Sequence, residues 1–186
     1  MHILVINNSS IHINEIHKLF SIDTYFTYIS YRQVGGYDTR PFDCIILTWS
    51  STHTYAYKSL AQEIHIIQQS NKPIIWICLG CELIASVYWW IVAKQTTRIE
   101  WDLEIICKDD AKTHLVHEAH KFCITNLWDE LEWLWQSTHW YEIIKHKTKP
   151  ILWFQFHPEV IKSSNDWINL FTKYISLLWI WKTSLF

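Results

Sequence analysis

The chain has 186 residues, of which 49% are hydrophobic and 18% charged, and its net charge is -2. That length is most simply one domain, residues 1–186, with a real core, and the balanced charge gives no hint of nucleic acid or of an anionic membrane surface as partner. Five cysteines without scaffold spacing suit a reducing, cytoplasmic setting. No apolar run reaches the roughly 18 residues of a membrane span, and the start "MHILVINNSS" lacks the basic n-region of a signal peptide.

In chain order, "HILVI" at 2–6 reads as a short buried strand. "NNSS" follows, with Ser9 or Ser10 as N-cap of a helix expected to run through Phe20. Thr24 to Ile29 is β-branched and aromatic, a second strand. Gly35-Gly36 and "YDTRP" form a loop. "DCIILT" at 43–48 is a third strand, and Tyr57, Leu60, Ile64 and Ile67 then share one helical face. "PIIWI" at 73–77 is a fourth strand leading into a helix after Cys78. This β–α alternation predicts a mostly parallel twisted sheet with flanking helices. From residue 99 the pattern changes: Ile99, Trp101, Leu103 and Ile105 alternate with Glu100, Asp102 and Glu104, which predicts a smaller, half-exposed antiparallel section. Further short strands are expected up to "ILWFQFH" at 151–157. A last helix near 165–180 gathers Trp167, Leu170, Phe171, Tyr174 and Leu178 on one face.

Ligands of open α/β sheets bind at the carboxyl ends of the strands. Cys78 follows "PIIWI" and precedes a predicted helix, the strand–turn–helix elbow that lifts a nucleophile clear of a sheet, with a helix N-terminus to favour the thiolate. A cysteine after an apolar run is more often an inert buried thiol, so a base is needed to complete the reading. "FQFHPEV" offers one: His157 ends another apolar strand, and Glu159, beyond a stiffening proline, stands ready to orient it. A lone His-x-Glu is weak evidence; the weight lies in both features falling at strand ends of one α/β chain. Cys78 and Cys81 also form a Cys-x-x-Cys pair, readable as a redox couple or half a zinc site. Cys44, Cys107 and Cys123 are scattered and supply no second pair, and the 11 histidines show no tight ligand spacing.

Taken together, "ICLGCEL" and "FQFHPEV" resemble the nucleophile elbow and the His-Pro-Glu motif of the class I glutamine amidotransferases, and "DCIILTWSS" is similar to that family's oxyanion loop. The likeness covers nearly the whole chain. "VINNSS" and "HEAHKF" at 117–122 look most like the glutaminase subunit or domain of GMP synthase. The resemblance implies a flavodoxin-like fold and a mechanism: Cys78 attacks the side-chain amide of glutamine, His157 shuttles protons, and Glu159 orients it. Backbone N–H groups of Leu79 and of the loop around Trp49 and Ser50 would hold the oxyanion, while Glu82, His120, Lys121 and Phe122 would fall at the substrate site. Glu82 stands where the family usually has Gln, and an ionised Glu accepts but does not donate a hydrogen bond. No cofactor and no metal is implied. The implied partners are glutamine and a separate synthase subunit that takes the ammonia. A γ-glutamyl hydrolase of the same fold and a catalytically inactive regulatory subunit remain as alternatives.

The chain holds 13 Trp and only 3 Gly, against an average Gly usage of about 7%. Trp49, Trp76, Trp89, Trp90 and Trp153 all sit where the resembling family usually has glycine. UGA is read as Trp in some bacterial codes and as Gly in others, so a Gly-reading gene decoded with the Trp table would give this composition. As written, Trp76 is expected to overpack the junction of strand and helix and Trp49 to crowd the oxyanion loop.

Overall fold

The computed structural model describes residues 1–48, 57–78, 92–160 and 166–183. Nine strands form one sheet: β1 (His2–Asn7), β2 (Tyr25–Ser30), β3 (Cys44–Leu47), β4 (Ile74–Ile77), β5 (Val92–Cys107), β6 (Thr113–Ile124), β7 (Leu131–Gln136), β8 (Tyr141–His146) and β9 (Ile151–Phe154). Their spatial order is β2-β1-β3-β4-β9-β8-β7-β5-β6. The first five in that order pair in parallel. From β9 outward every pairing is antiparallel. The change of pattern at residue 99 predicted the antiparallel section; the structure joins it to the parallel block in one continuous sheet.

The four residues of each of β3, β4 and β9 are all buried, which is why they read as unbroken apolar runs: helices cover both faces of a parallel sheet. Successive side chains alternate between faces. Ile3, Val5, Ile46, Ile75, Ile77, Leu152 and Phe154 pack with Trp167, Leu170, Phe171, Tyr174 and Leu178 of helix α2 (Asp166–Thr183). Leu4, Ile6, Ile45, Leu47, Ile74, Trp76 and Trp153 pack on the other face with Ile67 of helix α1 (Tyr57–Gln69). Among the described residues no helix is long and apolar enough to cross a membrane.

Two local readings need correction. The helix expected from Ser9 or Ser10 to Phe20 is only a 3-10 turn, Ile13–Leu19, with no side-chain cap at His12. Ser9 lies at φ 72°, the Asn7 side chain accepts the Ser10 N–H at 2.9 Å and the Ser10 hydroxyl accepts the His12 N–H at 3.2 Å. These local bonds compete with the helix start they were expected to cap. Trp101, placed by alternation on the buried face of β5, is 50% exposed, because β5 and β6 run out to the sheet's far edge. Trp76 is fully buried in the α1-side cluster beside Trp153, its register partner across β4 and β9; the helix it was expected to crowd lies outside the described residues. The cost shows in hydrogen bonding, since neither indole N–H has a partner. Trp49, Trp89, Trp90 and the helix expected after Cys78 lie outside the described residues.

Candidate active site

The sheet register builds the site. β4 and β9 are adjacent and parallel, with Ile77 opposite Phe154, so both strands end at the same level. The Cys78 N–H donates to the Phe154 carbonyl at 2.7 Å. Immediately past the strand, Cys78 turns to φ 57°, a left-handed conformation uncommon for any residue with a β-carbon. Backbone strain of this kind marks functional turns, and a nucleophile elbow needs such a turn. The thiol is free and only 7% exposed.

Three residues beyond β9, His157 is fully buried, and Glu159 nearly so. The Val160 N–H donates to the His157 carbonyl at 3.2 Å, closing the turn at Pro158 and bringing the carboxylate back onto the ring. His157 Nδ1 lies 2.8 Å from Glu159 Oε1. The imidazole is also within hydrogen-bond reach of Cys78, so the order Cys78–His157–Glu159 runs through one ring. Burial works against a charged imidazole, but negative charge on Cys78 and Glu159 outweighs it and holds His157 well above its ordinary value. The surroundings therefore favour the charged imidazolium over the neutral ring.

The structure adds residues not singled out from the sequence. Gln155, level with Cys78, points its amide Nε2 at the Cys78 sulfur at 3.8 Å. Its signal was present in "FQFHPEV", but nothing in the motif says that the side chain turns toward the thiol. Behind His157 lie Glu118 of β6 and Glu142 of β8, both fully buried. Burial pushes Glu118 up to about 7, opposed by its bond to Glu142 and by the charge of His157. Burial, and then the charge of Glu118, raise Glu142 well above the usual carboxyl range.

Of the substrate-site expectations, His120 is buried on β6 with Nε2 2.9 Å from Glu118 Oε2 and its ring edge-on to Trp140. Burial lowers it to about 4, so it is neutral at physiological pH. Through Glu118 it reaches the surroundings of His157. Lys121 is half-buried, and Phe122 packs against the α1-side core with the Lys94 ammonium 5.9 Å over its ring. Leu79, Trp49, Ser50, Glu82 and Cys81 lie outside the described residues. Among the described residues no group of three His, Cys, Asp or Glu side chains is placed to hold a metal ion.

Known proteins are similar to this chain in sequence and in fold. The family model "Glutamine amidotransferase class-I" matches residues 4–177. A subunit of the glutamine-hydrolyzing GMP synthase of Methanothermobacter thermautotrophicus is 37% identical over 105 residues, which cover 52% of this chain and 56% of that protein. The corresponding GMP synthase subunit of Methanocaldococcus jannaschii is 34% identical over the same shares. The chain thus spans about half the length of the curated relatives it matches. Among solved structures, a protein described as a GMP synthase subunit from Thermoplasma acidophilum shares the fold at TM-score 0.79 and 20% identity, over 100% of this chain and 97% of that one. A glutamine amidotransferase from Thermotoga maritima shares it at TM-score 0.70 and 18% identity, over 95% and 84%. With the family model matching almost end to end and the fold shared over the full length, the chain belongs to the class I glutamine amidotransferases.

Proposed function

We propose that the chain is a glutaminase that hydrolyses glutamine through a Cys78–His157–Glu159 triad and hands the ammonia to a separate synthase subunit, that of GMP synthase. The observation that carries the reading is the buried His157 imidazole, within hydrogen-bond reach of Cys78 on one side and 2.8 Å from Glu159 on the other. Cys78 adds to the amide carbon, breaking the carbonyl π bond, and the oxyanion is received by backbone N–H groups at Leu79 and the 49–50 loop. His157 gives its proton to the leaving nitrogen, and ammonia departs. His157 then takes a proton from water, which attacks the γ-glutamyl thioester and releases glutamate and the thiol. Glu159 keeps the ring oriented and offsets its charge throughout.

The names of the relatives, which are subunits of glutamine-hydrolyzing GMP synthases, support the substrate and the partner. The free cysteines among the described residues suit a cytoplasmic setting, and residues 1–186 act as one domain. The test is ammonia release from glutamine by the wild type and Cys78→Ala, with and without the synthase partner. The reading expects turnover that vanishes in Cys78→Ala and rises with the partner. Cleavage of γ-glutamyl peptides without glutamine turnover would instead establish a γ-glutamyl hydrolase.

A further inference from the structure

Glu118 and Glu142 belong to no part of the triad, and their placement requires a physical account. Their carboxyl groups lie within hydrogen-bond reach of each other, yet none of the four oxygens receives a well-aligned bond from an N–H or hydroxyl. The neighbouring donors are shared or poorly aimed. The Ser137 hydroxyl lies within reach of Glu142 but also bonds the Trp140 carbonyl at 3.2 Å, and His120 Nε2, though 2.9 Å from Glu118 Oε2, is off line for a straight bond. Two fully buried carboxylates in contact, with no well-aligned donor and no cation to offset a second charge, cannot both be ionised. One keeps its proton and donates it to the other, so the pair carries a single negative charge.

Both strands that hold the pair are bonded to the triad segment. The His117 carbonyl, next to Glu118, accepts the His157 N–H at 2.9 Å, and the Glu142 carbonyl accepts the Gln155 N–H at 2.8 Å. The other titratable and charged groups around the pair are His120 and Cys123 on β6 and Arg98 on β5. His120 is neutral, the Cys123 thiol is held protonated by burial, and Arg98 pairs with Glu100 at 3.3 Å. The charge of the pair therefore faces His157, whose own charge acts on Glu118, and Coulomb interactions are reciprocal.

We propose that Glu118 and Glu142 act as one proton-sharing positioning pair whose single negative charge, with the backbone bonds of their strands, holds the His157 imidazolium in place between Cys78 and Glu159. The inference rests on the triad reading, and its test is chosen to stand apart from it. The imidazole of His157 is titrated by nitrogen-15 NMR in the full chain as wild type, Glu118→Gln, Glu142→Gln and the double variant. Each single variant keeps one carboxylate and gains an amide donor, so the bond and the charge survive and His157 titrates within about half a pH unit of the wild type. The double variant has no charge, and its His157 titrates about one pH unit lower or more, the alkaline limb of any glutamine turnover moving down with it. Glu132→Gln, which removes a carboxylate already paired with Lys108 and Lys145, leaves the titration where it was. A folded double variant titrating like the wild type would overturn the proposal, as would a single variant that shifts as far as the double. If the double variant fails to fold, infrared spectroscopy in a Glu63→Gln background, which removes the other raised buried carboxyl, decides: the parent must show a protonated-carboxyl band at neutral pH that is lost in each single variant, and its absence overturns the pair. Absence of glutamine turnover would count against the triad reading and leave these titrations to judge the pair alone.

Discussion

At Cys78 the backbone sits at φ 57°, where a β-carbon is strained and only glycine is at ease. Cys78→Gly should therefore be more stable than Cys78→Ala by about 1 kcal/mol in chemical denaturation, the reverse of the usual ranking of these residues; equal stability would mean that the elbow is not strained. Glu159 reaches Nδ1 with one oxygen. Glu159→Gln keeps a polar contact but loses the charge that sustains the imidazolium, so kcat/KM for glutamine should fall by about 100-fold or more, and the alkaline limb should move to lower pH. The direction follows from His157 being raised: its ion pairs are fully formed below the ordinary histidine value and are lost as pH rises through the folded one. The tryptophans pose a different question at this scale. Trp135 donates its indole N–H to Tyr174 at 2.7 Å, whereas the buried Nε1 atoms of Trp76, Trp140 and Trp153 have no partner, each costing about 1–3 kcal/mol. An indole set in a place shaped for something smaller leaves this trace. The decoding reading predicts glycine masses at 76, 89 and 90 in the peptide around Cys78 from native cells. Tryptophan masses would contradict it, and Trp76→Gly would then cost about 3–5 kcal/mol as a core truncation.

At the scale of elements, helix α1 is tied to the sheet by polar groups as well as by its apolar face. Glu63, fully buried on α1, accepts from Asn8 Nδ2 at 3.1 Å, and the same Nδ2 donates to the Thr48 carbonyl at 3.1 Å. Asn8 N–H donates to the Thr48 hydroxyl at 3.0 Å. The tie thus meets the end of β3. Burial pushes Glu63 up to about 7. The folded state then holds this proton more tightly than the unfolded state, so stability falls as pH rises from the ordinary 4.5 to about 7 and is flat beyond. Glu63→Gln can still accept from Asn8 and removes the ionisation. In urea melts its stability should lose about 3 kcal/mol less than the wild type across that window, and parallel pH profiles for the two would refute the assignment. The sequence carried α1, β1 to β4, β9 and α2 openly, because each has a clear apolar period or run. It misled at 9–20, where polar side chains that can cap a helix formed local turns instead.

For the whole molecule, the site depends on one alignment: β4 and β9 end opposite each other, which sets Cys78 beside Gln155, 77 residues further along the chain. Cys78 and "HPE" were legible as strand-end residues, and the family resemblance joined them, but their meeting is a property of the sheet order. Glu118, Glu142 and the Gln155 side chain were not legible. Glu118 looks like any polar residue of a strand, and only the packing of β6 and β8 beneath the β9 turn buries it against a second carboxyl. Every step proposed for the site depends on glutamine turnover at Cys78. The most direct test is ammonia release from glutamine by the chain purified from its own cells, followed as Cys78 is titrated with a glutamine-like electrophile. The account predicts one label, on Cys78, and activity that falls in proportion to it, reaching zero at full occupancy. Activity that survives complete labelling of Cys78, or glutamine turnover absent from the start, would contradict it.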